Sequence, residues 1–401
     1  MSRVKVFAIG VLLCLVPLAA TIVRAAPPTS LNALAFGDAR HGFAAGDGVI
    51  LATTDGGATW ERRYSGPERF IALDMLGEVA GWAVATDALF GTADGGQTWT
   101  RLGEPAPPLV SVAFTSPTAG FGIVGTPPLG SSTGQPYPIN GGQLVRTSDG
   151  GRSWTPVALD IAPQSVCASG YVAGGRQVLR TSDGGATWAT VFTAPVRDSP
   201  RWDATIACSS PEVAWALMVG TGVALSHQEH AAFMTANGGA DWRPVFEERY
   251  TVPITPPVDT PNAPGTYPGP FAVADSTTAY FIGLTPPVDR DYNAAIDRAT
   301  VSGLTRLGTI PGGLPLGGPY GLAFADREYG WLATGAAGQI LATTDGGVTW
   351  TVQYPARQTP TGMPGAGAGG MAGGSLPWSP FALLALAVGA TLLMVRLMFR
   401  R

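Results

Sequence analysis

The sequence predicts an all-β chain: a seven-bladed β-propeller of four-stranded antiparallel blades, followed by a C-terminal transmembrane helix. Three observations carry that prediction. The string Leu51-Ala-Thr-Thr-Asp-Gly-Gly-Ala-Thr-Trp60 returns almost unchanged at Leu341–Trp350, and in variant form at Thr92–Trp99, Thr147–Trp154, Thr181–Trp188 and Thr235–Trp242. Self-similarity at a period of roughly 40 residues is the mark of a repeat architecture. An aromatic residue recurs independently as Phe43, Trp82, Phe121, Tyr171, Trp215, Tyr280 and Trp331, which sets the count at seven. Between the two ends of the chain, short apolar runs alternate with Gly, Asp, Asn and Pro, and no stretch shows a helical period.

The first 25 residues are expected to be a secretory signal. Arg3 and Lys5 precede an apolar run from Val6 to Val23, and Val23-Arg24-Ala25 offers small residues for cleavage. Cys14 follows Leu13 and so lacks the small residue of a lipoprotein site. An uncleaved anchor is the alternative, and either reading exports the body of the protein. Charged residues make up only 13% of the chain, and the net charge of −4 comes without any internal Lys/Arg cluster. That pattern argues against a nucleic-acid partner.

Each repeat, within residues 30–355, follows one plan. In the first, Leu34-Ala35-Phe36 is a short strand, Gly42-Phe43 opens a second, Val49–Thr53 forms a third, and Thr59–Arg62 a fourth. Four short antiparallel strands per unit is the blade of a propeller. The Asp-Gly-Gly turn joins the third and fourth strands. It is expected at Asp55, Asp94, Asp149, Asp183 and Asp345, with Asn237 in the fifth repeat, each followed by its tryptophan: Trp60, Trp99, Trp154, Trp188, Trp350 and Trp242. The sixth repeat lacks the turn, for which Ser302-Gly303 can substitute.

Turn chemistry accounts for every position of this motif. A short acidic side chain accepts hydrogen bonds from backbone N–H groups of its own turn, and the glycines permit positive φ. The tryptophan supplies a large apolar face. One carboxylate per blade around a rim brings no two together, so neither a metal site nor a catalytic pair is expected from them. No cofactor is expected either.

The spacing from the second-strand aromatic to the turn residue is more informative. It is 12 residues in repeats one, two and four, 14 in repeat seven, 22 in repeat five and 28 in repeat three. The extra residues fall between second and third strands, at Thr126–Gly142 and Thr221–Glu229, with a similar insert at Thr285–Asn293 and a Pro-rich connection at Tyr250–Pro270. Loops between second and third strands share one face of the disc with the blade-to-blade connections, and the Asp turns lie on the other. The long segments therefore gather on the face opposite the Asp turns, and loops on a rigid scaffold are where binding is usually placed. Tyr137, Tyr267, Arg290 and Tyr292 are the candidate partner-binding residues there.

Two smaller groups remain. His227-Gln228-Glu229-His230 could donate metal ligands, but no third cluster completes a set, and a solvated loop is the expectation. Cys167 and Cys208 fall on the innermost strands of neighbouring blades. They read either as a disulfide or as two small buried hydrophobes.

Beyond residue 355, a Gly/Pro/Ala/Met stretch at 356–375 reads as a flexible stalk. Residues 376–395 are long and apolar enough to span a bilayer, and the arginines in the tail at 396–401 mark the cytoplasmic side. A cleaved C-terminal sorting signal is the other reading of this end.

The Thr-x-Asp-x-Gly-x-Thr-Trp pattern resembles the Asp-box, or bacterial neuraminidase repeat. The fuller run Tyr329-Gly330-Trp331-Leu332-Ala333-Thr334-Gly335, then Gly338 to Trp350, is similar to the photosystem II stability/assembly factor family. That resemblance implies a seven-bladed propeller on the lumenal side of photosynthetic membranes that escorts a newly made reaction-centre subunit. The expectation is therefore a non-catalytic, monomeric, membrane-anchored scaffold that binds an exported or membrane protein, on the extracytoplasmic face of the cell membrane or the thylakoid lumen side. A carbohydrate- or cell-wall-binding propeller is the alternative. A sialidase-like hydrolase is less favoured, because no Phe-Arg-Ile-Pro-type start occurs and Arg69-Phe70-Ile71 has the wrong order.

Overall fold

The structure, a computed structural model, describes residues 30–103, 109–126, 140–196, 201–224, 227–248, 267–285, 293–311, 321–335 and 338–355. The chain divides into two compact units, 1–357 and 358–401. The signal segment, the stalk, the apolar segment and the basic tail lie outside the described residues. Among the described residues every element is a strand, and no helix is long and apolar enough to cross a membrane.

The strands form antiparallel, four-stranded blades, as short apolar segments broken by Gly and Asp turns dictate. The sequence predicts seven separate blades, and the structure has six sheets: five of four strands and one of six. The six-stranded sheet comprises β1 (Leu31–Phe36), β2 (Gly42–Thr53), β3 (Glu61–Leu76), β4 (Ala80–Ala85), β5 (Leu89–Thr92) and β6 (Thr100–Gly103). Its size has a local cause. β3 runs from the first repeat into the second without a break, pairing with β2 through Glu61 to Arg69 and with β4 through Phe70 to Leu76. β2 spans two strands of the plan, with Gly46 still paired to β1 and Asp47 already paired to β3, beside Gly48 at φ 70°.

The other sheets follow the plan one repeat at a time. They are β7–β10 (Leu109–Phe114, Gly120–Thr126, Asn140–Thr147, Thr155–Val157), β11–β14 (Ser165–Cys167, Tyr171–Gly174, Gln177–Arg180, Ala189–Thr193) and β15–β18 (Trp202–Cys208, Ala214–Ala224, His227–Thr235, Arg243–Glu248). Then come β19–β22 (Tyr267–Val273, Thr278–Thr285, Asn293–Thr300, Gly303–Thr309) and β23–β26 (Gly321–Phe324, Gly330–Ala333, Ile340–Thr343, Thr351–Tyr354). In the sixth repeat Thr300 pairs with Gly303, at φ 126°, so a tight turn over Val301-Ser302 replaces the Asp turn.

The core sits between repeats. Seven apolar clusters lie among the described residues, each drawn from two consecutive repeats, and the last joins Trp331, Ala333 and Ile340 of the seventh to Leu31, Ala44 and Val49 of the first. The two halves of the six-stranded sheet also face each other across such a cluster, Phe43 and Ile50 against Phe70 and Phe90. Closure of the ring is marked by the Leu31 N–H donating to the Gly335 carbonyl at 2.9 Å. Burying large aromatic side chains, at ~1.5–3 kcal/mol each, makes these seams the main source of stability.

The second-strand aromatic latches each repeat to the next. Trp82 Nε1 donates to the Gly150 carbonyl at 3.1 Å and Trp331 Nε1 to the Gly56 carbonyl at 2.9 Å. The Tyr171 hydroxyl reaches the Pro211 carbonyl and the Tyr280 hydroxyl the Arg327 carbonyl, at 2.8 and 2.6 Å. Phe43 and Phe121 have no polar group to satisfy and pack directly on Gly96 and Gly185 of the following turn. Trp215 is the exception. It is fully buried, and its Nε1 has no hydrogen-bond partner among the described residues. The repeat it faces is the sixth, which lacks the Asp turn that supplies the acceptor to Trp82 and Trp331.

Candidate functional site

The Asp turns come first, because they are the most repeated chemistry in the chain. In the first, the Thr53 and Thr59 hydroxyls donate to opposite oxygens of Asp55 at 2.8 and 2.7 Å. The Thr59 N–H adds a third bond at 2.9 Å, and Gly57 N–H donates to Thr53 Oγ1 at 2.7 Å. The same set recurs around Asp94, Asp149, Asp183 and Asp345. Asn237 keeps the geometry with one bond reversed, its Nδ2 donating to Asp241 at 2.9 Å. Hydrogen bonds from Thr98 pull Asp94 down to about 2, and those from Ser153 and Thr187 hold Asp149 and Asp183 well below the usual range. Each carboxylate is thus held ionised, with its oxygens occupied by its own turn. Trp60, Trp99, Trp154, Trp188, Trp242 and Trp350 meet a seam aromatic edge-on, as Trp99 meets Phe43 at 5.2 Å.

The same face holds the acid–imidazole group Asp38, His41 and Glu78, whose ligand atoms lie within 4.8 Å of one another. Asp38 already accepts the Arg40 and His41 N–H groups at 2.6 Å each and meets the His41 ring at 2.8 Å. A turn explains the arrangement, and sequence reasoning did not single it out.

The opposite face carries a pocket of ≈ 600 Å³ at the seam between the fourth and fifth repeats. Its walls come from the connection into β11 (Asp160, Gln164), the turn between β12 and β13 (Gly175, Arg176), and the start of β15 with its approach (Arg201, Trp202). Gln164 is the keystone of its floor. Its Oε1 accepts the N–H groups of Gly175 and Ala204 at 2.9 and 2.8 Å, and its Nε2 donates to Asp203. Arg201 also donates to Asp203, at 3.1 Å, yet burial prevails and pushes that carboxyl above its ordinary value. The pocket therefore combines guanidinium, carboxylate and amide groups around a largely buried indole, a lining suited to a mixed polar and apolar ligand. Asp160 also borders a smaller pocket of ≈ 440 Å³, shared with Arg146, Leu159 and Trp188.

None of the residues lining the ≈ 600 Å³ pocket was among the predicted partner-binding residues. Tyr137, Arg290 and Tyr292 lie outside the described residues. Tyr267 is described only as backbone, paired with Leu284 at the start of β19. The insert expected at Thr221–Glu229 largely lengthens β16 and β17 instead of forming a loop. His230, expected in a solvated loop, is correspondingly buried in β17, its Nδ1 2.7 Å from the Gln228 carbonyl oxygen. An apolar run, Ala231-Ala-Phe-Met, continues from it and draws it inside. Cys167 and Cys208 are joined in a disulfide, with Cα atoms 6.1 Å apart, between the innermost strands of repeats four and five.

Residues 23–128 match the family model of the photosynthesis system II assembly factor YCF48. No curated protein matches the chain. Among solved structures, YCF48 bound to D1 peptide aligns with a TM-score of 0.51 and 16% identity, over 79% of this chain and 92% of that one. An ancestral GH74 enzyme aligns with a TM-score of 0.54 and 14% identity, over 82% of this chain but only 47% of that one. At such identities the structural likeness shows the propeller fold alone. The match to the YCF48 assembly-factor family is carried by residues 23–128, which hold the first repeats of this β-propeller.

Proposed function

We propose that the protein is a non-catalytic, exported scaffold that holds a peptide segment of a protein partner on the face opposite the Asp turns. The pocket at the seam of repeats four and five carries this reading. It opens on the face where the second-to-third-strand turns and the blade connections meet, beside the connection that follows the Thr126–Gly142 insert. The match of residues 23–128 to the YCF48 family, one member of which was solved with a D1 peptide, supports a protein ligand over a small metabolite. The partner would be an exported or membrane protein. β26 runs from the Asp-turn side and ends at Tyr354 on the pocket-bearing side. A C-terminal anchor at 376–395 would tether the protein to the membrane.

Obstructing the pocket tests the proposal. Gln177→Trp with Thr193→Trp places two indoles on its lining while leaving Gln164 intact. Partner capture from native membranes should fall at least tenfold, about 1.4 kcal/mol, with the thermal midpoint within a few degrees of wild type. Val348→Trp, on the Asp-turn face, should leave capture unchanged. The reverse result would place binding on the other face, and binding to a glycan array without a protein partner would favour the carbohydrate reading.

A further inference from the structure

The seams between repeats are not built alike. Three carry a face-to-face ring stack at the end of the innermost strand: Phe36 on Trp331 at 3.5 Å, Phe114 on Trp82 at 3.5 Å, and Phe324 on Tyr280 at 3.7 Å. In each, the stacking phenylalanine ends the innermost strand and pairs with the glycine that precedes the second-strand aromatic, as Phe36 pairs with Gly42 and Phe324 with Gly330. At repeat five that position is Cys208, paired with Ala214 ahead of Trp215. The seam of repeats four and five therefore has a covalent bond to Cys167 where three others have a ring stack.

The same two strands build the pocket. From the disulfide toward the opposite face, Ser165 Oγ bonds both the N–H and the carbonyl of Ile206, at 3.2 and 3.3 Å. Next comes Gln164, bonded to Asp203 and Ala204 on the pocket floor. Three residues of strand, about 10 Å, separate the sulfur pair from that floor. Both cysteines are only partly buried, so the bond is within reach of a thiolate.

We infer that the Cys167–Cys208 disulfide is a redox-controlled clasp of the pocket, closed when oxidised and released by an extracytoplasmic dithiol of the thiol–disulfide exchange class. A thiolate of the dithiol attacks one sulfur and expels the other as a thiolate. The second thiol then resolves the mixed disulfide. Two electrons pass to this chain, which ends with two thiols, and the dithiol becomes a disulfide. Without the bond, the seam keeps Ser165, Gln164, the Tyr171 latch to Pro211 and the Phe192–Trp242 stack, but has no ring stack at the end of its innermost strand to hold β11 and β15 in register. The clasp rests on the reading of the pocket as the binding site, and its test is read on the seam and not on binding.

Hydrogen exchange of the full-length protein, before and after treatment with dithiothreitol, checks the inference. Alkylation should gain two thiols in the folded protein. Backbone amides in 164–167 and 202–208 should then exchange about tenfold faster or more, while amides in 109–114 and 321–324, at ring-stacked seams, stay unchanged. Cys167→Ser with Cys208→Ser should reproduce the reduced pattern. A bond that resists the dithiol, or a reduced protein with undiminished protection at 164–167, overturns the clasp, as does faster exchange at every seam. An opened seam with unaltered partner capture would instead leave the clasp standing and refute the pocket as the binding site.

Discussion

Trp331→Ala is expected to lower the free energy of unfolding by about 3–5 kcal/mol, the cost of emptying a fully buried aromatic site. Trp331 is 1% exposed, stacks on Phe36 and donates to the Gly56 carbonyl across the seam that closes the ring. Trp331→Phe keeps most of the stack but leaves the Gly56 oxygen without its donor, which should cost roughly 1–3 kcal/mol. Trp215→Phe is the informative comparison. That indole N–H is buried without a described partner, so its removal deletes an unmet donor along with some apolar area. The loss should be smaller than for Trp331→Phe, and urea denaturation of the three variants measures the order directly. Equal losses in the two Trp→Phe variants would mean that the cross-seam bond contributes nothing.

How far the fold was legible in the sequence follows from the same residues. The Asp turns and the second-strand aromatics announce their roles because each recurs in a fixed frame, and recurrence exposes structure that single positions hide. The union of the first two repeats in one sheet has no such mark. It depends on the backbone staying extended between Tyr64 and Phe70, where nothing in Ser65-Gly-Pro-Glu68 forbids a break. The pocket escaped for a related reason. Attention to irregular spacing led to repeats three, five and six, whereas most of the pocket lining comes from repeat four, whose spacing is regular. Its walls are connections, Asp160–Gln164 and the approach to Trp202, that match no motif. The legible signal was Gln164 and Asp203, polar residues at or just before the start of innermost strands whose counterparts are largely apolar. The cysteines were placed on neighbouring inner strands by alignment alone, but spacing could not decide whether they bond.

Stability should depend on pH in a way that a single residue dominates. Asp74 lies on β3 opposite Trp82, where five other repeats have alanine: Ala35, Ala113, Ala207, Ala272 and Ala323. It clasps the next repeat, its Oδ2 accepting the Phe114 N–H at 2.7 Å. Burial pushes its carboxyl up to about 7, outweighing that hydrogen bond. The folded state therefore holds this proton to higher pH than the unfolded chain, whose carboxyl titrates near 4. Stability is greatest below that value and falls as pH rises toward 7, by something on the order of 4 kcal/mol if the whole shift is expressed. The turn carboxylates act in the opposite sense. Asp94, Asp149 and Asp183 are held low, so their contribution is intact above pH ~4 and is lost as pH falls toward 2. The two trends place the maximum near pH 4–5, below neutrality. Asp74→Asn keeps an oxygen for the Phe114 N–H but cannot titrate, so it should flatten the decline between pH 4 and 7 and leave the acid limb unchanged. Denaturation midpoints at pH 4, 5.5, 7 and 8.5 test this, and an unaltered slope in Asp74→Asn would assign the decline to another group.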